Sequence, residues 1–175
     1  LVERILSAHS AVSGAGELTL ITDFFSTILN GKPVSEFVAM VHSAGGAETR
    51  RLVNEIEATM RFLGDDKDRI VDKMPHNFLY AGLLAAIFSH GTIVHCFRSP
   101  ADNFLSGLKA NLKHTHNYFD DPSFYISYYG HYRRLMEHWY KVLPGRIFPL
   151  HYETLVTNPE DTIASLLSAA LPALQ

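Results

Sequence analysis

Cysteine is almost missing from this chain: Cys96 stands alone among 175 residues, so no internal disulfide can form. It lies in an apolar, β-prone run, which predicts a buried, reduced thiol and mildly favours a cytoplasmic setting. Neither sign of charge is in large excess, with 15 Lys and Arg against 18 Asp and Glu, a formal net charge of −3. That balance gives no global electrostatic reason to expect nucleic-acid or membrane-surface binding, although a local basic pocket for a small anion remains open. No apolar run reaches membrane-spanning length, and no basic-then-apolar leader is present. Internal repeats and low-complexity segments are also missing. No Ser-His-Asp set, Cys-His pair or Walker-type glycine loop can be assembled. There is no initiator methionine, and Leu1-Val2-Glu3-Arg4-Ile5-Leu6 reads as the middle of a helix. Leu171-Pro172-Ala173-Leu174-Gln175 follows another helix, so both ends are expected to be cut.

What is present is the composition of a folded domain. Hydrophobic residues make up 47% of the chain, enough for a substantial core, and the length suits one domain over 1–175. Helical periodicity predicts a short helix in 1–9 and further helices over 18–29, 35–43 and 47–63. The last of these carries Leu52, Val53, Ile56, Met60 and Leu63 on one face. Extended segments are expected at 12–17, 69–72, 92–97 and 146–151, with a helix over 77–88 and a polar loop at 112–121. A long helix over 124–142 should bury Tyr128, Tyr132, Leu135, Met136 and Trp139, with Leu143 just beyond it, and Gly145 should end it. Asn158, Pro159, Glu160 and Asp161 mark the start of the last helix. Strands alternating with helices predict an α/β fold, a parallel sheet flanked by helices.

The most informative stretch is residues 94–106, from Val94 to Ser106. An apolar run delivers Arg98 to the end of a strand, and a well-marked helix follows. Ser99 suits the N-cap, Pro100 the first helical position, and Asp102 would complete a capping box. Anions bind at the carboxyl edge of parallel α/β sheets, where Arg98 would stand. A second stretch, Ile70-Val71-Asp72-Lys73-Met74-Pro75-His76-Asn77-Phe78, places Lys73 at another strand end. A third, His9-Ser10-Ala11-Val12-Ser13-Gly14-Ala15-Gly16-Glu17, brings a carboxylate out of a glycine-rich extended segment.

Taken in order, these three stretches resemble the sulfotransferases that use 3′-phosphoadenosine 5′-phosphosulfate (PAPS), and the resemblance runs from Leu1 to Pro172. Arg98, Asp102 and Ser106 follow the family's 3′-phosphate element. The resemblance implies cofactor-binding roles for Arg98 and Ser106, consistent with a guanidinium fork and a hydroxyl donor on a phosphate. Asp102 is explained by the cap. Asp72 to Phe78 resembles the signature of bacterial sulfotransferases often found behind tetratricopeptide repeats. It implies that Lys73 stabilises charge on the sulfonate and the departing phosphate. The stretch ending in Glu17 is similar to that of tyrosylprotein sulfotransferases, implying that Glu17 is the base that takes the acceptor's proton. The implied fold is the P-loop NTPase-like sulfotransferase fold, here truncated at both ends. Its 5′-phosphosulfate loop would precede Leu1, so weak or no turnover is expected of these residues alone.

Other constellations carry less. His76 is the second candidate base. His114 and His116 lack a third ligand, so no metal is expected. Tyr152-Glu153-Thr154-Leu155 also resembles a family segment and reads as framework. The aromatic stretch 118–132 suits core packing more than an acceptor pocket. Expected partners are a small-molecule or peptide acceptor and a tetratricopeptide region in a longer protein, without nucleic acid or membrane. A P-loop kinase relative and a non-catalytic binding module are the alternatives.

Overall fold

Apolar, β-branched runs alternate with amphipathic segments along this sequence, and the backbone follows that alternation. A computed structural model describes residues 1–19, 22, 23, 26, 35, 36, 47–64, 67–110 and 116–171. The helices expected over 18–29 and 35–43 lie largely outside the described residues. The chain divides into two compact units, Leu1–Asn77 and Phe78–Gln175. The described strands form two parallel sheets of two strands, so the parallel pairing expected from the sequence appears as two short ladders.

In the first unit the elements are α1 (Val2–Leu6), β1 (Val12–Gly16), α2 (Ala47–Leu63) and β2 (Arg69–Asp72). Strands β1 and β2 pair through Val12 with Arg69, Ser13 with Ile70, and Gly14 with Val71. The register then slips by one residue, so that Gly16 faces Asp72. Leu6, Val12 and Ile56 are buried, one from each of α1, β1 and α2. Ile56 and Val53 bear out the predicted α2 face, whereas Leu63 at its end is exposed. Gly64 closes α2 where a Cβ would meet Ile70 at 2.6 Å.

The second unit opens within a 3-10 turn, Pro75–Tyr80, which leads into α3 (Ala81–Ile87). The helix expected from Asn77 therefore begins as a 3-10 segment. Next come β3 (Ile93–Phe97), α4 (Pro100–Lys109), a 3-10 turn at Asn117–Phe119 and α5 (Pro122–Val142). The chain finishes with β4 (Ile147–His151), α6 (Tyr152–Thr157) and α7 (Pro159–Ala170). Strands β3 and β4 run parallel in unbroken register, from Ile93 with Ile147 to Phe97 with His151. Tyr125 and Met136 are the buried residues of α5, while Tyr128, Tyr132, Leu135 and Trp139 are half-buried beside them. Trp139 donates its indole N–H to the Phe78 carbonyl at 2.8 Å and covers Gly82 so closely that a Cβ there would lie 2.6 Å from the ring. Gly145, at φ +73°, reverses the chain after α5, and Arg146 then satisfies the carbonyls of Phe88 and Gly91.

Three local expectations are corrected. Cys96 is exposed, because strand alternation sends His95 and Phe97 to the face where their rings meet and Cys96 to the opposite face. Asn158 makes no side-chain cap on α7; its amide donates to Asp161 instead. The expected polar loop at 112–121 contains a 3-10 turn with Phe119 buried, while residues 112–115 lie outside the described residues. Among the described residues no helix is long and apolar enough to cross a membrane.

Gly107, buried in α4, sits where an added Cβ would lie 2.3–2.5 Å from the Phe119 ring. Gly107→Ala should therefore destabilise the protein by about 1–3 kcal/mol through overpacking. Phe119→Leu in the same molecule should recover part of that loss, giving a non-additive double-mutant cycle in urea denaturation. Additive losses would show that the two groups do not meet.

Candidate active site

Parallel pairing brings the carboxyl ends of β1 and β2 together, because Gly16 faces Asp72. The Lys73 N–H donates to the Gly16 carbonyl at 2.8 Å, carrying the ladder one step past β2. The next side chains, Glu17 and Lys73, meet as an ion pair, Lys73 Nζ on Glu17 Oε1, with both about half exposed. Two residues implicated from separate stretches of sequence are thus in contact. An exposed pair of this kind contributes at most about 1 kcal/mol, so a ligand can compete for either partner.

The Glu17 backbone is tied on both sides. Gly16, at φ +73°, turns the chain out of β1, and its N–H donates to Glu3 Oε1 at 2.7 Å. Gly14 leaves room for that carboxylate, since a Cβ there would lie 2.9 Å from Glu3 Oε1. On the far side the Leu18 N–H donates to Asp72 Oδ1 at 3.2 Å. The second oxygen of Asp72 accepts from the Asn77 amide at 2.7 Å. His76 lies half-buried in the 3-10 turn that follows Lys73.

In the second unit Arg98 stands at the carboxyl end of β3. Its guanidinium lies over the Tyr152 ring, 4.9 Å from the centroid, a cation–π contact. Its Nε is buried and has no hydrogen-bond partner among the described residues. Ser99 Oγ accepts from the Asp102 N–H at 3.5 Å, the long limit for such a bond, so the forward half of the cap is present. The reciprocal half is corrected: the Ser99 N–H donates not to Asp102 but to Glu153 Oε1 at 2.8 Å. That bond is the main reason the Glu153 carboxyl is held below the usual range, with His151 and Arg98 adding to it. His151 Nε2 lies 3.1 Å from Glu153 Oε2 at ion-pair distance, without the alignment of a hydrogen bond. Ser106 is exposed on α4, about two turns beyond the cap, and no hydrogen bond joins it to Arg98 among the described residues.

Residues 1–170 match the sulfotransferase family. The chain belongs to that family. It is similar to an uncharacterized protein of Aquifex aeolicus (strain VF5), 31% identical over 176 residues that cover 95% of this chain and 23% of the relative. The chain thus spans about a quarter of the length of the curated relative it matches.

Two groups in this sulfotransferase domain escaped the sequence reading. Asp72 opens the signature that holds Lys73 but was given no chemical role, and Glu153 read as framework because its partner, Ser99, is distant in sequence. His114 lies outside the described residues, and among those described no cluster of three or more His, Cys, Asp and Glu could hold a metal.

The aromatic stretch 118–132 is mostly packing. Tyr118 stacks on Tyr128 at 3.9 Å, and ring contacts run from Phe104 through Tyr125, Tyr129 and Tyr132 to His95. Burial pushes the Tyr125 hydroxyl up to about 12. His95 is bracketed by the hydroxyls of Tyr140 and Tyr132. Burial lowers its pKa from 6.5 to about 4, so the ring is neutral at pH 7. The unfolded chain takes up this proton first. Stability therefore falls as pH drops from about 6.5 towards about 4 and levels off below. His95→Gln should flatten the pH dependence of the urea midpoint in that window; parallel curves would place the acid sensitivity elsewhere.

Proposed function

We propose that this domain transfers a sulfonate group from PAPS to an acceptor hydroxyl, phenol or amine. The observation that carries this reading is the contact between Glu17 and Lys73 at the paired ends of β1 and β2, in a chain of the sulfotransferase family. Family membership supports sulfonyl over phosphoryl transfer.

The co-substrate supplies an activated sulfonate whose S–O bond to phosphate breaks as the bond from acceptor to sulfur forms. Glu17 accepts the acceptor's proton. Lys73 stabilises the negative charge that develops on the departing phosphate oxygen. Arg98 and Ser106 hold the 3′-phosphate, and the Nε of Arg98, buried without a partner among the described residues, supports an anionic ligand there. Adenosine 3′,5′-bisphosphate and the sulfated acceptor leave as products.

Calorimetry with adenosine 3′,5′-bisphosphate tests the binding half. Arg98→Ala should weaken the nucleotide by about ten- to a hundredfold, the value of a lost charge-assisted contact. Parental affinity would remove Arg98 from the site. In the longer protein that contains this domain, Glu17→Gln should lower kcat by about a hundredfold or more with nucleotide affinity kept; an unchanged kcat would give the proton to another group.

A further inference from the structure

We propose that Asp72 is a positioning residue that brackets the Glu17 and Lys73 segments, an inference that rests on the functional reading above and names a residue it does not use. Asp72 is the last residue of β2, opposite Gly16. One carboxylate oxygen accepts the N–H of Leu18, the residue after Glu17, at 3.2 Å. The other accepts the side-chain amide of Asn77, beyond Lys73 and its following turn, at 2.7 Å. A single half-buried side chain therefore ties the segment leaving β1 to the segment leaving β2, on either side of the Glu17–Lys73 contact.

Two further contacts and one turn make the bracket specific to that contact. The Glu3 carboxylate holds the Gly16 N–H, so the amides before and after Glu17 are both fixed by carboxylates. The Lys73 N–H is fixed on the Gly16 carbonyl. Gly16 at φ +73° is the turn that Leu18 and Asp72 then close. Residues 17 and 73 thus have anchored backbones, and their side chains retain half their exposure.

The chemistry of the side chain explains why a carboxylate stands here. Two donors converge on it, a backbone N–H and an amide NH2, and only a carboxylate offers an acceptor oxygen to each; asparagine has one. Both oxygens are engaged, each by a donor from a different segment. Its contribution is geometric. Displacing a reacting group by about 1 Å costs on the order of a hundredfold in rate.

The test joins amide hydrogen exchange by NMR on this domain with sulfonate-transfer kinetics and nucleotide calorimetry on the longer protein that contains it, for the parent and for Asp72→Ala, Asp72→Asn and Asn77→Ala. Asp72→Ala should speed exchange at the Leu18 amide by about tenfold, the loss of one hydrogen bond. It should lower kcat by about ten- to a hundredfold with affinity for adenosine 3′,5′-bisphosphate unchanged. Asp72→Asn keeps an acceptor for Leu18 and should restore its protection and part of the rate. Asn77→Ala should lower kcat less than Asp72→Ala. If Asp72→Ala does not fold, Asp72→Asn and Asn77→Ala decide: parental rates in both overturn the bracket. Parental exchange at Leu18 in Asp72→Ala overturns it, as does a nucleotide affinity that falls in step with kcat. If the longer protein that contains this domain transfers no sulfonate, the functional reading fails by itself, and faster Leu18 exchange in Asp72→Ala still upholds the bracket.

Discussion

The alignment of Gly16 with Asp72 across β1 and β2 is the constraint on which the rest of the candidate site depends. Side chains two positions apart on a strand share a face, and a shift of one residue reverses every orientation. Here the register slips once, between Gly14 and Gly16, and that slip sets which residues leave the ladder together. Glu17 and Lys73 meet because the residues before them are partners. The glycines serve the same end, since Gly14 admits the Glu3 carboxylate and Gly16 takes a turn that costs an L side chain strain.

The second unit uses a comparable device with different chemistry. Its ladder ends at Phe97 with His151, and the residues just beyond are Arg98 on one strand and Tyr152 and Glu153 on the other. Tyr152 offers a ring face to the guanidinium, and Glu153 takes the first N–H of the α4 cap. A charged side chain thus joins the two strand exits in each unit: Asp72 between the Leu18 N–H and Asn77, and Glu153 at Ser99.

Much of this was legible in the sequence because it is local. Strand and helix limits follow from period and from punctuation by Pro and Gly, and β2, β3, β4 and α2 fall within a residue or so of expectation. Arg98 and Lys73 could be located at strand ends from flanking residues alone. What escaped depends on contacts between segments far apart in the chain. Neither the bond from Ser99 to Glu153 nor that from Leu18 to Asp72 has a spacing that a local pattern can show. Cys96 was misjudged for a related reason: an apolar run says that a strand is buried on some face, and only the neighbouring rings of His95 and Phe97 decide which.

Trp139 is the one tryptophan of the chain, and it is engaged on two sides at the junction of α3 and α5. Its indole N–H is spent on the Phe78 carbonyl, and its ring fills the space above Gly82. Intrinsic fluorescence is accordingly a local signal in this molecule. Its wavelength reports whether α3 remains seated on α5, and it does so without any label.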